Sequence, residues 1–175
     1  IDGVYERDDE HLMLVDAEVA RLSKLVDALL KLSRMEMRSQ PMREEVVNLS
    51  DLADDMVISH EAFIEESGLS VHLDAQPGIK TIGDEDLIKQ AVANLVSNAV
   101  RYTDEGGSIT ISVAREGRMA AISVADTGIG LSPDEEKMVF SRFWRADSGR
   151  AKEGGGLGVG LALVKEIVDR HHGRV

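Results

Sequence analysis

The chain has 175 residues, 43% hydrophobic and 30% charged, the make-up of a folded protein with one core and room for an accessory element. Its 32 acidic against 20 basic residues give a net charge of −12, which argues against nucleic-acid and anionic-membrane surfaces and requires any polyanionic ligand to be met by locally gathered cations. With no cysteine, disulfides, thiol catalysis and thiolate metal sites are excluded, and no apolar run approaches the ~18 to 20 residues of a membrane span.

Ile1 to Glu10 is polar and acid-rich and reads as a loop. From His11 to about Arg38, Leu12, Val15, Val19, Leu22, Val26 and Leu29 recur at alternating spacings of three and four, the seam of a helical bundle. A second line through Leu25 and Leu32 widens the stripe beyond what one neighbour covers. With no antiparallel mate following, a bundle between chains is the expected solution. Arg38 to Arg43, with Pro41, breaks the pattern and marks a boundary between a first unit, 1–40, and a second, 41–175.

In the second unit, Val46 and Val47 predict a short strand, and Asn48 to Ser50 cap a helix over Asp51–Glu66 with Leu52, Met56, Phe63 and Ile64 inward. His60 beside that face reads as a packed histidine rather than a ligand. Leu69, Val71 and Leu73 alternate, Pro77 and Gly78 turn, and Ile79 to Ile82 return, which predicts a β-hairpin. Asp84 caps a helix running to about Tyr102. Leu87, Ile88, Ala91, Val92, Leu95 and Ala99 form its apolar stripe, while Gln90, Asn94, Asn98 and Tyr102 recur every fourth residue on another face. Asparagine is a poor helix former, so two on one face suggest contact with a ligand rather than solvent.

Ile109, Ile111 and Val113 alternate as a strand, Gly117 centres a hairpin loop, and Met119 to Ala125 is a further strand delivering Asp126-Thr127-Gly128-Ile129-Gly130. A carboxylate at a strand end followed by two glycines lets a flat ring approach the backbone while the acid, expected to be buried, accepts from an exocyclic amine. The plain alternative is a glycine turn with Asp126 as a local cap. Ser132 and Pro133 start a short helix, and Phe140, Phe143 and Trp144 form an aromatic cluster, at least partly a local plug. Asp147 to Gly160 is glycine-dense and carries Arg150 and Lys152. It opens a helix with Leu163, Val164, Ile167 and Val168 inward, ending at His171, His172 and Gly173, and free amides at such a helix start attract anions.

No stretch fits GxxxxGK[ST], and neither glycine run satisfies GxGxxG in register, so P-loop, Rossmann and protein-kinase phosphate loops are excluded. Asn94-Leu95-Val96-Ser97-Asn98-Ala99-Val100-Arg101-Tyr102 instead resembles the N box of sensor histidine kinases. Asp126 to Gly130 resembles their G1 box, Phe140 to Arg145 their F box and Gly154 to Leu161 their G2 box, in that order. Arg21 to Glu36 is similar to the second helix of that family's dimerisation and phosphotransfer domain.

The resemblance implies an α+β fold: a two-layer α/β sandwich of the Bergerat (GHKL) type, its mixed sheet covered by helices and preceded by one bundle-forming helix. It implies ATP and Mg²⁺ as cofactors. Asp126 would hold the adenine amine, with Gly128 and Gly130 shaping the pocket. Asn98 would give its carbonyl to Mg²⁺ beside Asn94, Arg101 and Tyr102 would line the nucleotide, and Arg145 would reach phosphate. Lys152, Gly156, Leu157, Gly158, Val159 and Gly160 would form the lid. A homodimer through the N-terminal helix and a response regulator are the implied partners, with no nucleic acid and no membrane contact by this stretch, in a cytoplasmic setting.

Two departures qualify it. The family's acceptor histidine lies in a His-Glu-x-x-Thr/Asn-Pro context, and none of His11, His60, His72, His171 and His172 has it. The family also adds strands beyond the point reached by Val175. The expectation is ATP-binding machinery without its own nucleophile. Two rivals share the pattern: an ATP hydrolase on the same fold, against which Asn94 stands where a basic glutamate is needed, and a dimerising scaffold with a degenerate pocket.

Overall fold

The computed structural model describes residues 13–16, 18, 19, 22, 23, 26, 41–145 and 158–175. Two compact units divide the chain, Ile1–Gln40 and Pro41–Val175. In the first, the described residues are helical, and Val15, Val19, Leu22 and Val26 are all about half or more exposed, at 59, 56, 49 and 54%. The remaining residues of the expected seam lie outside the described residues.

The second unit runs β1 (Glu45–Asn48), α1 (Leu49–Glu66), β2 (Ser70–Ala75), β3 (Lys80–Gly83), α2 (Glu85–Tyr102), β4 (Ser108–Glu116), β5 (Met119–Asp126), α3 (Pro133–Met138) and α4 (Gly160–Arg170). It is α+β, with a mixed sheet. β4 is central, parallel to β2 and antiparallel to β5, while β1 and β3 form an antiparallel ribbon. On β4, Ile109, Ile111 and Val113 alternate inward at 0% exposure against Val96, Ala99 and Val100 of α2 and Leu52, Ala53 and Met56 of α1. Each such aliphatic side chain contributes roughly 1.5–3 kcal/mol by leaving water. The other face of β4, Ser108 to Ala114, carries small and polar residues. Those residues are half-buried, and the fully buried face is the one that meets α1 and α2.

The hairpin expected from Leu69 to Ile82 does not form. β2 pairs with β4 and β3 with β1. A tight turn joins only antiparallel neighbours, and β2 reaches its parallel partner through a crossover that contains α2. The Pro77–Gly78 turn is taken up by the start of α1. Ser50 Oγ donates to Gln76 O (2.7 Å) and accepts from Ile79 N (3.0 Å), and Leu49 N donates to Ile79 O (2.8 Å). Phe63 is also corrected: it is 48% exposed, and Ile64 at 0% fills the core position where the chain reverses through Gly68. Val96, at 0%, rather than half-buried Leu95, completes the apolar stripe of α2.

Candidate nucleotide site

The carboxamide helix is the backbone of the site. Asp84 caps α2, its Oδ1 accepting from Leu87 N at 3.2 Å, and acidic Glu85 and Asp86 complement the helix N-terminus. Lys89 lies 2.6 Å from Glu85 Oε1, and that hydrogen bond raises the lysine pKa above its ordinary 10.5. Gln90, Asn94, Asn98 and Tyr102 are half-buried. Asn94 Nδ2 donates to Gln90 O (2.8 Å), and its Oδ1 lies on the side of Gly160. The Asn98 carboxamide has no hydrogen-bond partner among the described residues.

Two glycine contacts bring other motif segments onto this helix, and a third joins two of those segments to each other. Register sets Asp126 opposite Ile109, at the sheet end where α2 finishes. From there Thr127 Oγ1 accepts from Ser108 N (2.9 Å), Thr127 N donates to Ser108 O (3.1 Å), and Ile129 N donates to Tyr102 O (3.2 Å). A β-carbon on Gly128 would overlap the Tyr102 carbonyl, so only glycine lets the turn close onto α2. At the other end of the motif set, a β-carbon on Gly160 would lie 3.1 Å from Asn94 Oδ1, which places the first residue of α4 against the carboxamide face. Gly158, at φ 68°, accepts from Phe143 N at 2.7 Å through its carbonyl, and its Cα packs on Phe143 and Trp144. Phe143 itself sits at φ 60°, a conformation uncommon for a bulky side chain.

Asp126 departs from expectation in its burial. It is exposed, at the end of β5, which among the described residues pairs with β4 alone. Oδ1 accepts from Gly128 N (2.9 Å), the local cap described above as the plain alternative, and Oδ2 has no partner among the described residues. One carboxylate oxygen therefore orders the turn and the other is available. Arg101 is half-buried and Arg145 exposed, and neither makes an ion pair among the described residues, whereas Arg43, Lys89, Lys137, Lys165 and Arg174 do. Val159 is 2% exposed, so its side chain belongs to the core, and its backbone N-caps α4 without a side-chain bond. Lys152, Gly156 and Leu157 lie outside the described residues.

The donor set suits a hard cation held with phosphate. It offers one free carboxamide oxygen, and among the described residues no group of three or more carboxylates or histidines could hold a metal by itself, so a cation here would take its remaining ligands from phosphate and water. Sequence reasoning missed three residues that shape this region. Thr103, 1% exposed, has a hydroxyl without a partner among the described residues. Gly83 packs on the ring of His171, and His171 bonds Asp84. No local pattern marks any of them.

Residues 83–175, just over half of the chain, match the family described as Histidine kinase-, DNA gyrase B-, and HSP90-like ATPase. The chain belongs to that family. Within this ATPase family it is 36% identical over 159 residues to the sensor-like histidine kinase SenX3 of Mycolicibacterium smegmatis, covering 91% of this chain and 41% of that protein. It is 34% identical over 177 residues to the signal transduction histidine-protein kinase BaeS of Escherichia coli, 99% of this chain and 37% of that one. The chain thus spans about two fifths of the length of these relatives. The fold is shared with the histidine kinase ThkA in complex with response regulator protein TrrA, at a TM-score of 0.74 and 22% identity over 99% of this chain and 47% of that one. It is shared also with full-length ShkA in complex with AMPPNP, at 0.76 and 23% identity over 96% of this chain and 35% of that one.

Proposed function

We propose that the chain is the nucleotide-binding portion of a sensor histidine kinase: it binds Mg·ATP, and within its parent protein presents the γ-phosphoryl group to a histidine, from which an aspartate of a response regulator receives it. The observation that carries this reading is the convergence on α2. Gly128 closes on Tyr102 and Gly160 on Asn94, around an Asn98 carboxamide and an Arg101 guanidinium that no described residue satisfies. AMPPNP in the ShkA structure and the ThkA–TrrA complex support the nucleotide and the partner respectively.

In this reading Asp126 Oδ2 accepts from the exocyclic amine of adenine while Oδ1 keeps the turn rigid. Gly128 and Gly130 leave the base room against the backbone. Tyr102 lines the nucleotide, and the α4 amides, Arg101 and Arg145 face its phosphates. Lys152, Gly156, Leu157 and Gly158 belong to the segment that covers it. Asn98 offers its carbonyl to Mg²⁺, with Asn94 beside it. The cation supplies charge neutralisation at the transferring phosphoryl, where positioning and electrostatics dominate catalysis. Asn94, a carboxamide, cannot take a proton from water, which favours transfer over hydrolysis. The N-terminal helix pairs with a second copy through Val15, Val19, Leu22 and Val26. Among the described residues no helix is long and apolar enough to cross a membrane, and the reading places this portion in the cytoplasm, where ATP is available.

Incubation with γ-labelled ATP tests it. The chain alone should stay unlabelled, and a supplied helix carrying a histidine in the acceptor context should take up label. Stable label on the chain alone, or rapid phosphate release without an acceptor, would overturn it.

A further inference from the structure

His171 closes the far end of α4 onto the start of the carboxamide helix. Its Nε2 lies 3.0 Å from Asp84 N and its Nδ1 2.7 Å from Ile167 O. The backbone amide can only donate and the carbonyl can only accept, so the ring is neutral with its proton on Nδ1. Gly83 supports the same placement independently. A β-carbon there would overlap Cδ2 of the ring and lie 2.7 Å from Nε2, so the ring seats on bare backbone. The bond spans 87 positions in sequence and joins the cap of α2 to the residue that caps α4.

The consequence falls at the other end of α4. Apolar contacts through Leu163, Val164 and Ile167 hold α4 to the protein but are non-directional, and set its position along its own axis less sharply than directional bonds do. The His171 bonds are directional and fix that position. An 11-residue helix is a rod about 16 Å long. Its C-terminus is thereby tied to Asp84 and its N-terminus, Gly160, is set against Asn94 with only 3.1 Å to spare for a β-carbon. We propose that His171 is a positioning residue for nucleotide binding: it sets α4 so that its first-turn amides stand at the carboxamide face. The inference rests on the nucleotide reading above and assigns the residue that holds this geometry.

The test compares Mg·ATP affinity and thermal stability of the chain with those of H171L, H171Q and G83A. Leucine fills the space without an acceptor. Glutamine restores an oxygen near the Nε2 position. H171L and G83A are expected to bind roughly three- to tenfold more weakly, the size of one net hydrogen bond, and H171Q to recover most of the loss. Unchanged affinity in H171L with only a lower Tm would overturn the proposal, as would equal losses in H171L and H171Q. If H171L does not fold, the ratio of H171Q to the unaltered chain decides, and a loss beyond threefold overturns it. An unaltered chain that binds no nucleotide overturns the nucleotide reading and this proposal with it, whereas binding by the unaltered chain that H171L and G83A match overturns this proposal alone.

Discussion

Gly128 and Tyr102 touch through bare backbone: the glycine Cα lies beneath the tyrosine carbonyl, and a β-carbon would overlap that oxygen and come within 2.7 Å of Asp126 Oδ1. The contact ties the Asp126 turn to the C-terminus of α2 where no side chain could mediate it. Gly128→Ala should therefore cost about 1–3 kcal/mol by overpacking and weaken ATP binding by displacing Asp126. Gly130 makes an instructive contrast. It has positive φ, 66°, but open space around its Cα, so Gly130→Ala should cost only about 1 kcal/mol of backbone strain. Urea denaturation and ATP titration of the two variants separate a steric requirement from a conformational one.

Asn98 tests whether the helix sacrifices stability for its ligand. Its side chain satisfies nothing among the described residues, and asparagine is a poorer helix former than alanine by a few tenths of a kcal/mol (~0.6). Asn98→Ala is thus expected to leave the fold intact and raise Tm slightly, while Mg·ATP affinity falls at least about tenfold through loss of a cation ligand. Asn94→Ala should differ. That residue bonds Gln90 O and stands against Gly160, so stability and binding should fall together. Calorimetric melts beside binding titrations with and without Mg²⁺ check both.

The parts of the fold that read directly from sequence are those whose cause is local. Ser132 with Pro133 gives the start of α3, and the strict alternation of Ile109, Ile111 and Val113 gives β4. Periodicity specifies which face of a strand is buried but not which strand lies beside it. Pro77–Gly78 looks like a hairpin turn until Ser50, 26 residues away from Gln76, captures it. The site divides in the same way. The asparagines and the Asp126 turn announce themselves by residue type and spacing, and the Gly83–His171 seat does not, because its meaning is the absence of a β-carbon opposite a ring 88 positions along the chain. The burial expected of Asp126 is not found either: an apolar run delivers the acid to a strand end without specifying what covers it there, and Asp126 is exposed.

The exposed stripe of the first unit makes a prediction about assembly. Val19, Leu22 and Val26, with Ser23, line one shallow groove on the helix, and apolar side chains half exposed in a row are stabilised by a matching helix. Leu22→Glu should convert a dimer to a monomer in light-scattering measurements at micromolar concentration. ATP binding by residues 41–175 should be unchanged, since that unit has its own core. A chain that is monomeric without the substitution would remove the dimer from the proposal.

Thr103 offers a stability gain at the edge of the site. It caps α2, its N–H donating to Ala99 O at 3.1 Å, and its side chain is buried so closely that a β-carbon on Gly107 would overlap its methyl group. The hydroxyl nevertheless has no partner among the described residues. A buried hydroxyl left unpaired costs about 1–3 kcal/mol in desolvation, whereas its replacement by a methyl of the same shape removes that cost. Thr103→Val should therefore raise the urea midpoint without changing the slope of the transition. The opposite result, a loss of about 1 kcal/mol or more, would mean the hydroxyl holds a buried water. Water-mediated support of the Asp126 turn would then be expected to show as weaker ATP binding in the same variant, because Thr103 packs on Gly107 and Gly107 in turn lies against Thr127, the neighbour of that acid.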